Sequence, residues 1–255
     1  MSAVTTSRTD GVFTIVFTNP DQGNILTDTW VREMRAALAE INDTDRCVLM
    51  RAEGKNFCFG GDVASFAVDD PAARLRDLAG GLHDVLEQLA LLHIPVVQAV
   101  QGWAAGGGFS LSLASDITIA GTSAKFKAAY NGIGLTADGG LTFNLPRRTS
   151  TQLAFDMLLT DRVLDANEAL ARGLIARIVD DAALETEAHA IATRIASNAN
   201  FATRRVKELL RHSETATYAH QLAHETDAIA DAAEHVDGRE GVAAFLARRT
   251  PTFNR

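Results

Sequence analysis

Two glycine clusters, Gly60-Gly61 and Gly106-Gly107-Gly108, each follow an apolar run and stand where the chain must turn. Glycine lets a ligand approach the main chain with no Cβ in the way. The second cluster also opens a small-residue segment, "GGGFSLSLASD", of helical character. Free N–H groups at such a start favour negative charge. Together the clusters can aim two backbone N–H groups at one oxygen. That arrangement suits a developing oxyanion, such as the enolate of a thioester, because the donors are fixed before the charge appears. The same glycines equally permit tight turns and close helix–sheet packing, so by themselves they leave both uses open. Neither cluster has the form G-x-G-x-x-G, and the chain contains no G-x-S-x-G turn and no phosphate loop ending G-K-[ST].

Other reactive residue types are weaker signals. His220 and His224 have the i, i+4 spacing that suits a metal, yet no third ligand accompanies them, and an exposed helical face is expected. The two cysteines, Cys47 and Cys58, have neither zinc-site spacing nor the density of a disulfide framework, which points to a reducing cytoplasm. The formal net charge of −8 argues against nucleic-acid binding driven by bulk charge. With 47% hydrophobic and 22% charged residues in 255, the composition is that of a globular protein able to bury a large core. No signal-peptide pattern and no apolar stretch of membrane-spanning length is visible, so a soluble, cytoplasmic protein is expected.

The elements that must hold the glycine turns follow from periodicity. Val4–Arg8 and Val12–Phe17 flank the turn signal Asp10-Gly11 and form a strand pair. Trp30, Met34, Leu38 and Ile41 recur at helical spacing after Asp28, with Thr27 as the cap. Cys47–Arg51 is a short apolar strand running into the first glycine turn. Asp69-Asp70-Pro71 breaks the next stretch, which predicts a mobile loop there. The leucine stripe from Leu75 to Leu92 then marks a long amphipathic helix, ending before Pro95 and serving core packing. Val96–Val100 and Asp116–Ala120 are strands on either side of the second cluster. This β-helix-β alternation predicts a parallel sheet with helical crossovers. After Asp181 strand signals cease, so the organisation expected is an α/β core over residues 1–195 and a helical region over residues 196–255.

Several stretches, in order, resemble the enoyl-CoA hydratase/isomerase (crotonase) family. "FCFGGDV" is similar to the family's F-C-A-G-x-D-L, and "IPVVQAVQGWAAGGGFSLSLASDITIAGTSAKF" to its K-P-V-I-A-A-V-N-G-x-A-x-G-G-G segment. "IGLTADGGLTFNLPRR", "LLTDRVLDANEALARGLIARIV" and "EGVAAFLARRTPTF" continue the match over nearly the whole chain. The resemblance implies a spiral of β-β-α units with a helical C-terminal trimerisation region, giving a homotrimer or a dimer of trimers. It implies an acyl-CoA thioester as substrate, and an oxyanion hole formed by the N–H groups of Gly61 and Gly107, beside Gly60, Asp62 and Gly106. Gln22, Asn24 and Ile25 match the segment that holds coenzyme A partly through backbone atoms, and Arg248 falls where the family's terminal motif carries a CoA-proximal lysine. Coenzyme A is then part of the substrate; no metal or other cofactor is required.

The departures bear on the chemistry. The family's hydratases resemble one another in carrying two glutamates; here Ser110 and Tyr130 stand at those positions. Serine is too weak an acid to replace a carboxylate, and tyrosine titrates near ~10, so two-glutamate hydration is not expected. Asp138 matches the aspartate that shuttles a proton in isomerase-like members and is the nucleophile in aryl-CoA dehalogenases. Its competing role is to cap the helix predicted over "GGLTFNL". His83 stands at a distance matching a histidine of the dehalogenases, with packing on the leucine helix as its alternative. The expected function is therefore an enoyl-CoA double-bond isomerase in fatty-acid or aromatic acyl-CoA metabolism. The alternatives are a hydratase with a variant site, an aryl-CoA dehalogenase and a non-catalytic acyl-CoA binding protein. Phe66, Leu82, Tyr130 and Phe143 are the expected pocket walls.

Overall fold

The computed structural model describes residues 2–253. In chain order the strands are β1 (Val4–Thr9), β2 (Val12–Phe17), β3 (Cys47–Ala52), β4 (Val96–Val100) and β5 (Trp103–Ala105). They continue with β6 (Ile117–Gly121), β7 (Lys125–Lys127), β8 (Val163–Asp165) and β9 (Arg177–Val179). The helices of the first half are α1 (Asp28–Ala39), α2 (Pro71–Leu91), α3 (Gly107–Ser112), α4 (Leu141–Arg148) and α5 (Thr151–Thr160). The rest are α6 (Ala166–Ala171), α7 (Leu184–Ala196), α8 (Asn200–His212), α9 (Tyr218–Glu234) and α10 (Val236–Leu246).

Six strands form the main sheet in the order β1-β2-β3-β4-β6-β9. The first pair is antiparallel and the rest are parallel, as the alternation of elements predicts. The period-two geometry of a strand sends alternate residues to opposite faces. Phe13, Ile15, Val48, Met50, Val96 and Val100 enter a core shared with α1 and α2. Val12, Cys47, Leu49, Val97, Ala99 and Ile119 enter a second core under α7. Burial on both faces is why these strands read as unbroken apolar runs. Helix α7 seats on the sheet through Leu184, Ala188, Ala192 and Ala196, one small face at helical spacing.

Thr27 caps α1 by accepting a 3.1 Å hydrogen bond from the Trp30 amide. Asp69-Asp70-Pro71 is a helix start, where a mobile loop is the sequence expectation. Asp70 accepts from the Ala73 amide at 3.0 Å and Pro71 occupies the first turn of α2, where its missing N–H costs nothing. A second, three-stranded sheet, β5-β7-β8, has no counterpart in the strand periodicity of the sequence, because its members are three residues long. From Asp181 on, the described residues contain helices and no strand. Lys207 on α8 is buried, donating to the Ile94 carbonyl at 2.7 Å and pairing with Asp116 at 2.7 Å, which ties the C-terminal helices to the start of β4.

Candidate active site

β4 delivers the chain to the glycine segment, and Gln98 within it, fully buried, donates to the Leu111 carbonyl at 3.1 Å. This fixes α3 against the sheet. The first glycine cluster is joined to the same assembly by two short ladders. Cys58 pairs with Ala104, and Leu26 pairs with Gly61 in parallel register. The Leu26 amide donates to the Gly60 carbonyl at 2.8 Å and the Asp62 amide donates to the Leu26 carbonyl at 3.3 Å. In such a parallel pairing the intervening residue turns its own N–H and C=O to the opposite edge, so the Gly61 amide is not spent on Leu26. Gly107 is the first residue of α3, and its amide is one of the helix's unpaired four.

The clusters touch. Gly60 has φ +90°, and a Cβ placed there would lie 2.8 Å from the Ala105 carbonyl oxygen and 3.0 Å from the Gly107 nitrogen. Only glycine fits this approach. Gly61, Gly106 and Gly107 line a cavity of about 310 Å³, at the small end of ligand-binding pockets. Its other walls are apolar: Leu26, Phe59, Val63 and Phe66 on one side, Leu75, Leu78 and Leu82 of α2 on another, and Ile133 and Leu135 on a loop. Asp138 is the one carboxylate among the lining residues, and Arg76, Tyr130 and Thr136 are the polar side chains beside it.

Asp138 does not cap α4. That helix starts at Leu141 after Gly140, with no side-chain cap, and the Asp138 carboxylate instead accepts a 2.6 Å hydrogen bond from the Tyr130 hydroxyl at Oδ1. Burial, then the neighbouring Asp138 charge and the bond to it, push the Tyr130 hydroxyl well above its ordinary value, so it remains a donor. Ser110, fully buried, donates from Oγ to the Asp138 carbonyl at 2.9 Å and stands 3.4 Å from the Tyr130 hydroxyl. Ser110 and Tyr130 thus converge on Asp138. His83 is exposed and accepts the Gly139 amide at Nε2, 3.0 Å away, without lining the cavity.

Other expected site residues lie outside the cavity lining. The Asn24 side chain is consumed internally: Oδ1 accepts from the Asn19 amide, and Nδ2 donates to the Glu53 and Asn56 carbonyls, each at 3.0 Å. It shapes the turn before Leu26 and has no side-chain atom free for a ligand. Gln22 is exposed and bonds Asn19, and Ile25 is half-buried beside the cavity-lining Leu26. Asp62 follows Gly61 without lining the cavity, and Arg248 is exposed at the end of α10, outside the cavity as well. Phe143 also lies outside it. That ring is half-exposed under the Arg147 guanidinium and borders a larger groove of about 870 Å³, which contains Arg148 and Lys207 but neither glycine pair nor Asp138. Gly61, Gly107, Tyr130 and Asp138 all line the smaller cavity.

Leu75 and Leu78, expected in core packing, are walls of the cavity, and Arg76 beside them carries no periodic signal. An apolar helical stripe has the same spacing whether it meets protein or ligand. Burial pushes the Cys58 thiol up to about 12, and its sulfur accepts the Gly60 amide at 3.4 Å, so it supports the turn as a neutral group. Both cysteines are free. Among the described residues no group of three or more His, Cys, Asp or Glu side chains is arranged to hold a metal, and His224 stacks on His212 with ring centroids 4.0 Å apart.

An α/β spiral whose two glycine loops meet at an apolar cavity defines a class, and the chain belongs to it: residues 7–255 match the enoyl-CoA hydratase/isomerase family. Among its relatives is the 1,2-epoxyphenylacetyl-CoA isomerase of Escherichia coli K12, 37% identical over 95% of this chain and 95% of that protein. The 4-chlorobenzoyl coenzyme A dehalogenase-1 of an Arthrobacter species is 29% identical over 96% of this chain and 91% of its own. The crystal structure of an enoyl-CoA hydratase from Bacillus anthracis superposes with a TM-score of 0.94 at 30% identity, covering 98% of each chain. The chain is thus a crotonase-fold member of an acyl-CoA enzyme family. Among the described residues no helix is long and apolar enough to cross a membrane.

Proposed function

We propose that the protein is an isomerase that moves a double bond in an enoyl-CoA thioester. The observation that carries this is the single carboxylate, Asp138, in an apolar cavity shared with Gly61 and Gly107. The thioester oxygen is received by the Gly61 and Gly107 amides. Asp138 removes a proton from the α carbon of a 3-enoyl thioester, and the electron pair spreads into a dienolate whose oxygen the two amides stabilise. The same carboxyl group then returns the proton to the γ carbon, leaving the conjugated 2-enoyl thioester. One group suffices for this exchange because the proton lost and the proton gained are carried by the same oxygen. The apolar walls suit an aliphatic or aromatic acyl group, and the likeness to an epoxyphenylacetyl-CoA isomerase supports isomerisation as the reaction type.

Hydration is disfavoured by the same cavity. Water attack and proton delivery at opposite ends of the double bond call for two groups, and Ser110 and Tyr130 bond to Asp138 where a second carboxylate would be required. Dehalogenation with His83 as a base is disfavoured because its Nε2 lone pair is engaged by the Gly139 amide. The experiment is incubation with a 3-enoyl-CoA while following growth of conjugated-thioester absorbance. Growth of that absorbance is expected; binding without any turnover would leave an acyl-CoA binding protein in place of an enzyme.

A further inference from the structure

One peptide unit in the site is held from both of its edges. The bond between Asp138 and Gly139 carries a carbonyl and an amide, and no peptide among the described residues is cis, so the two groups point to opposite sides of one plane. On one side Ser110 of α3 donates at 2.9 Å to the carbonyl, which also accepts the Leu141 amide at 3.1 Å. On the other the amide donates to Nε2 of His83 on α2 at 3.0 Å. The sequence after Asp138 makes such restraint necessary. Gly139 has φ +59° and Gly140 φ +72°, a pair of glycines with wide access to alternative backbone conformations. The loop also presses on α3, since a Cβ on Gly139 would lie 2.7 Å from the Ser110 Cβ.

We propose that His83 is a positioning residue, which together with Ser110 clamps the Asp138–Gly139 peptide and thereby fixes the direction of the Asp138 carboxylate. The inference rests on the role of Asp138 proposed above. His83 acts through that peptide: it is exposed and lines no part of the cavity, so it does not touch the acyl group. Accepting an amide at Nε2 requires a lone pair there, which the neutral ring supplies with its proton on Nδ1. With Tyr130 holding the carboxylate at Oδ1, the aspartate is fixed at its tip and at its main chain. Release of the main-chain hold lets the carboxylate drift from the reacting carbons, and a misplacement of ~1 Å costs ~10²-fold in rate.

The test compares His83→Leu, His83→Gln, Ser110→Ala and Asp138→Asn with the wild-type full chain, on the 3-enoyl-CoA that the wild-type protein turns over. His83→Leu is expected to lower kcat by ~10- to 100-fold while KM stays within ~3-fold, because the clamp orients the base and leaves the walls intact. His83→Gln is expected to recover most of the loss, since its side-chain oxygen reaches about as far as Nε2 and accepts an amide. Combining His83→Leu with Ser110→Ala should cost less than the product of the single losses, as the two residues hold one peptide unit. The Gly139 amide should exchange slowly with solvent in the wild-type and His83→Gln proteins. Wild-type kcat in His83→Leu, a glutamine variant as slow as leucine, or rapid Gly139 exchange in the wild-type protein each overturns the clamp. Those outcomes leave the proposed reaction standing as long as Asp138→Asn is inactive. Full activity in Asp138→Asn overturns the reaction itself.

Discussion

The hydroxyl of Tyr130 donates to the carboxylate of Asp138 at 2.6 Å, so the residue that the family resemblance places at a hydratase glutamate position is bonded to the one carboxylate of the cavity. One carboxylate oxygen is engaged by the phenol, and in the proposed reaction the other faces the substrate. In the proposed reaction Asp138 is the one proton-transfer group, and burial and the Asp138 charge hold the neighbouring Tyr130 phenol well above its ordinary value.

Asp138→Asn removes that group with little change in volume. Turnover of an enoyl-CoA is expected to fall by at least ~10²-fold, the ordinary worth of a positioned acid or base. Acyl-CoA binding, followed by calorimetry, should persist because the Gly61 and Gly107 amides and the apolar walls are unchanged. Undiminished turnover would take Asp138 out of the mechanism.

Crotonyl-CoA tests directly the proposal that the site does not hydrate. The wild-type protein should leave its conjugated absorbance nearly unchanged over times in which a 3-enoyl-CoA is isomerised. Rapid bleaching would mean that Asp138 and an ordered water replace the two glutamates.

Alkaline stability should carry the signature of Tyr130. Burial and Asp138 raise its ionisation in the folded chain, whereas the unfolded chain releases the proton near pH ~10. Above that pH the unfolded state binds fewer protons than the native state, so stability falls as pH rises. Tyr130→Phe deletes this contribution, and its thermal midpoint should decline less steeply between pH ~10 and ~11 than that of the wild-type protein. Equal slopes would show that the phenol ionises as readily in the folded chain.

The C-terminal helices expose Leu210, Tyr218, Ile229, Phe245 and Leu246, the last two at 82% and 76% of full exposure. An apolar surface of this kind marks an interface, and we propose that it is covered by further copies of the chain. Light scattering is expected to report three or six chains per particle, and Phe245→Glu should lower that number. A wild-type monomer at micromolar concentration would remove the proposal.

The main sheet was legible in the chain because both of its faces are buried, which leaves Val12–Phe17, Cys47–Ala52 and Val96–Val100 as apolar runs with clear ends. Capping of α1 by Thr27 was legible because hydrogen bonding at a helix start is local. The start of α2 was not legible: an Asp-Pro pair breaks a preceding element and begins a following one with the same residues, and only the Ala73 amide bonded to Asp70 distinguishes the two. The strands β5, β7 and β8 are too short to carry a period.

The site divides in the same way. Residue types alone determined that two glycine clusters follow apolar runs, and the family resemblance implied that Ser110 and Tyr130 stand where hydratases carry glutamates and that Asp138 is the proton-shuttling acid. Only the tertiary structure decided what Asp138 touches. A carboxylate before "GGLTFNL" has the same local sequence whether it caps a helix or faces a cavity, and its bond to Tyr130 excludes the cap. Asn24, in the segment that the resemblance places at coenzyme A through backbone atoms, has its side-chain amide bonded to main-chain partners at Asn19, Glu53 and Asn56. Likewise His83 is 56 residues from the amide it accepts. Local propensity reaches a few residues along the chain, whereas the geometry of a catalytic group is set by contacts between segments that folding alone brings together.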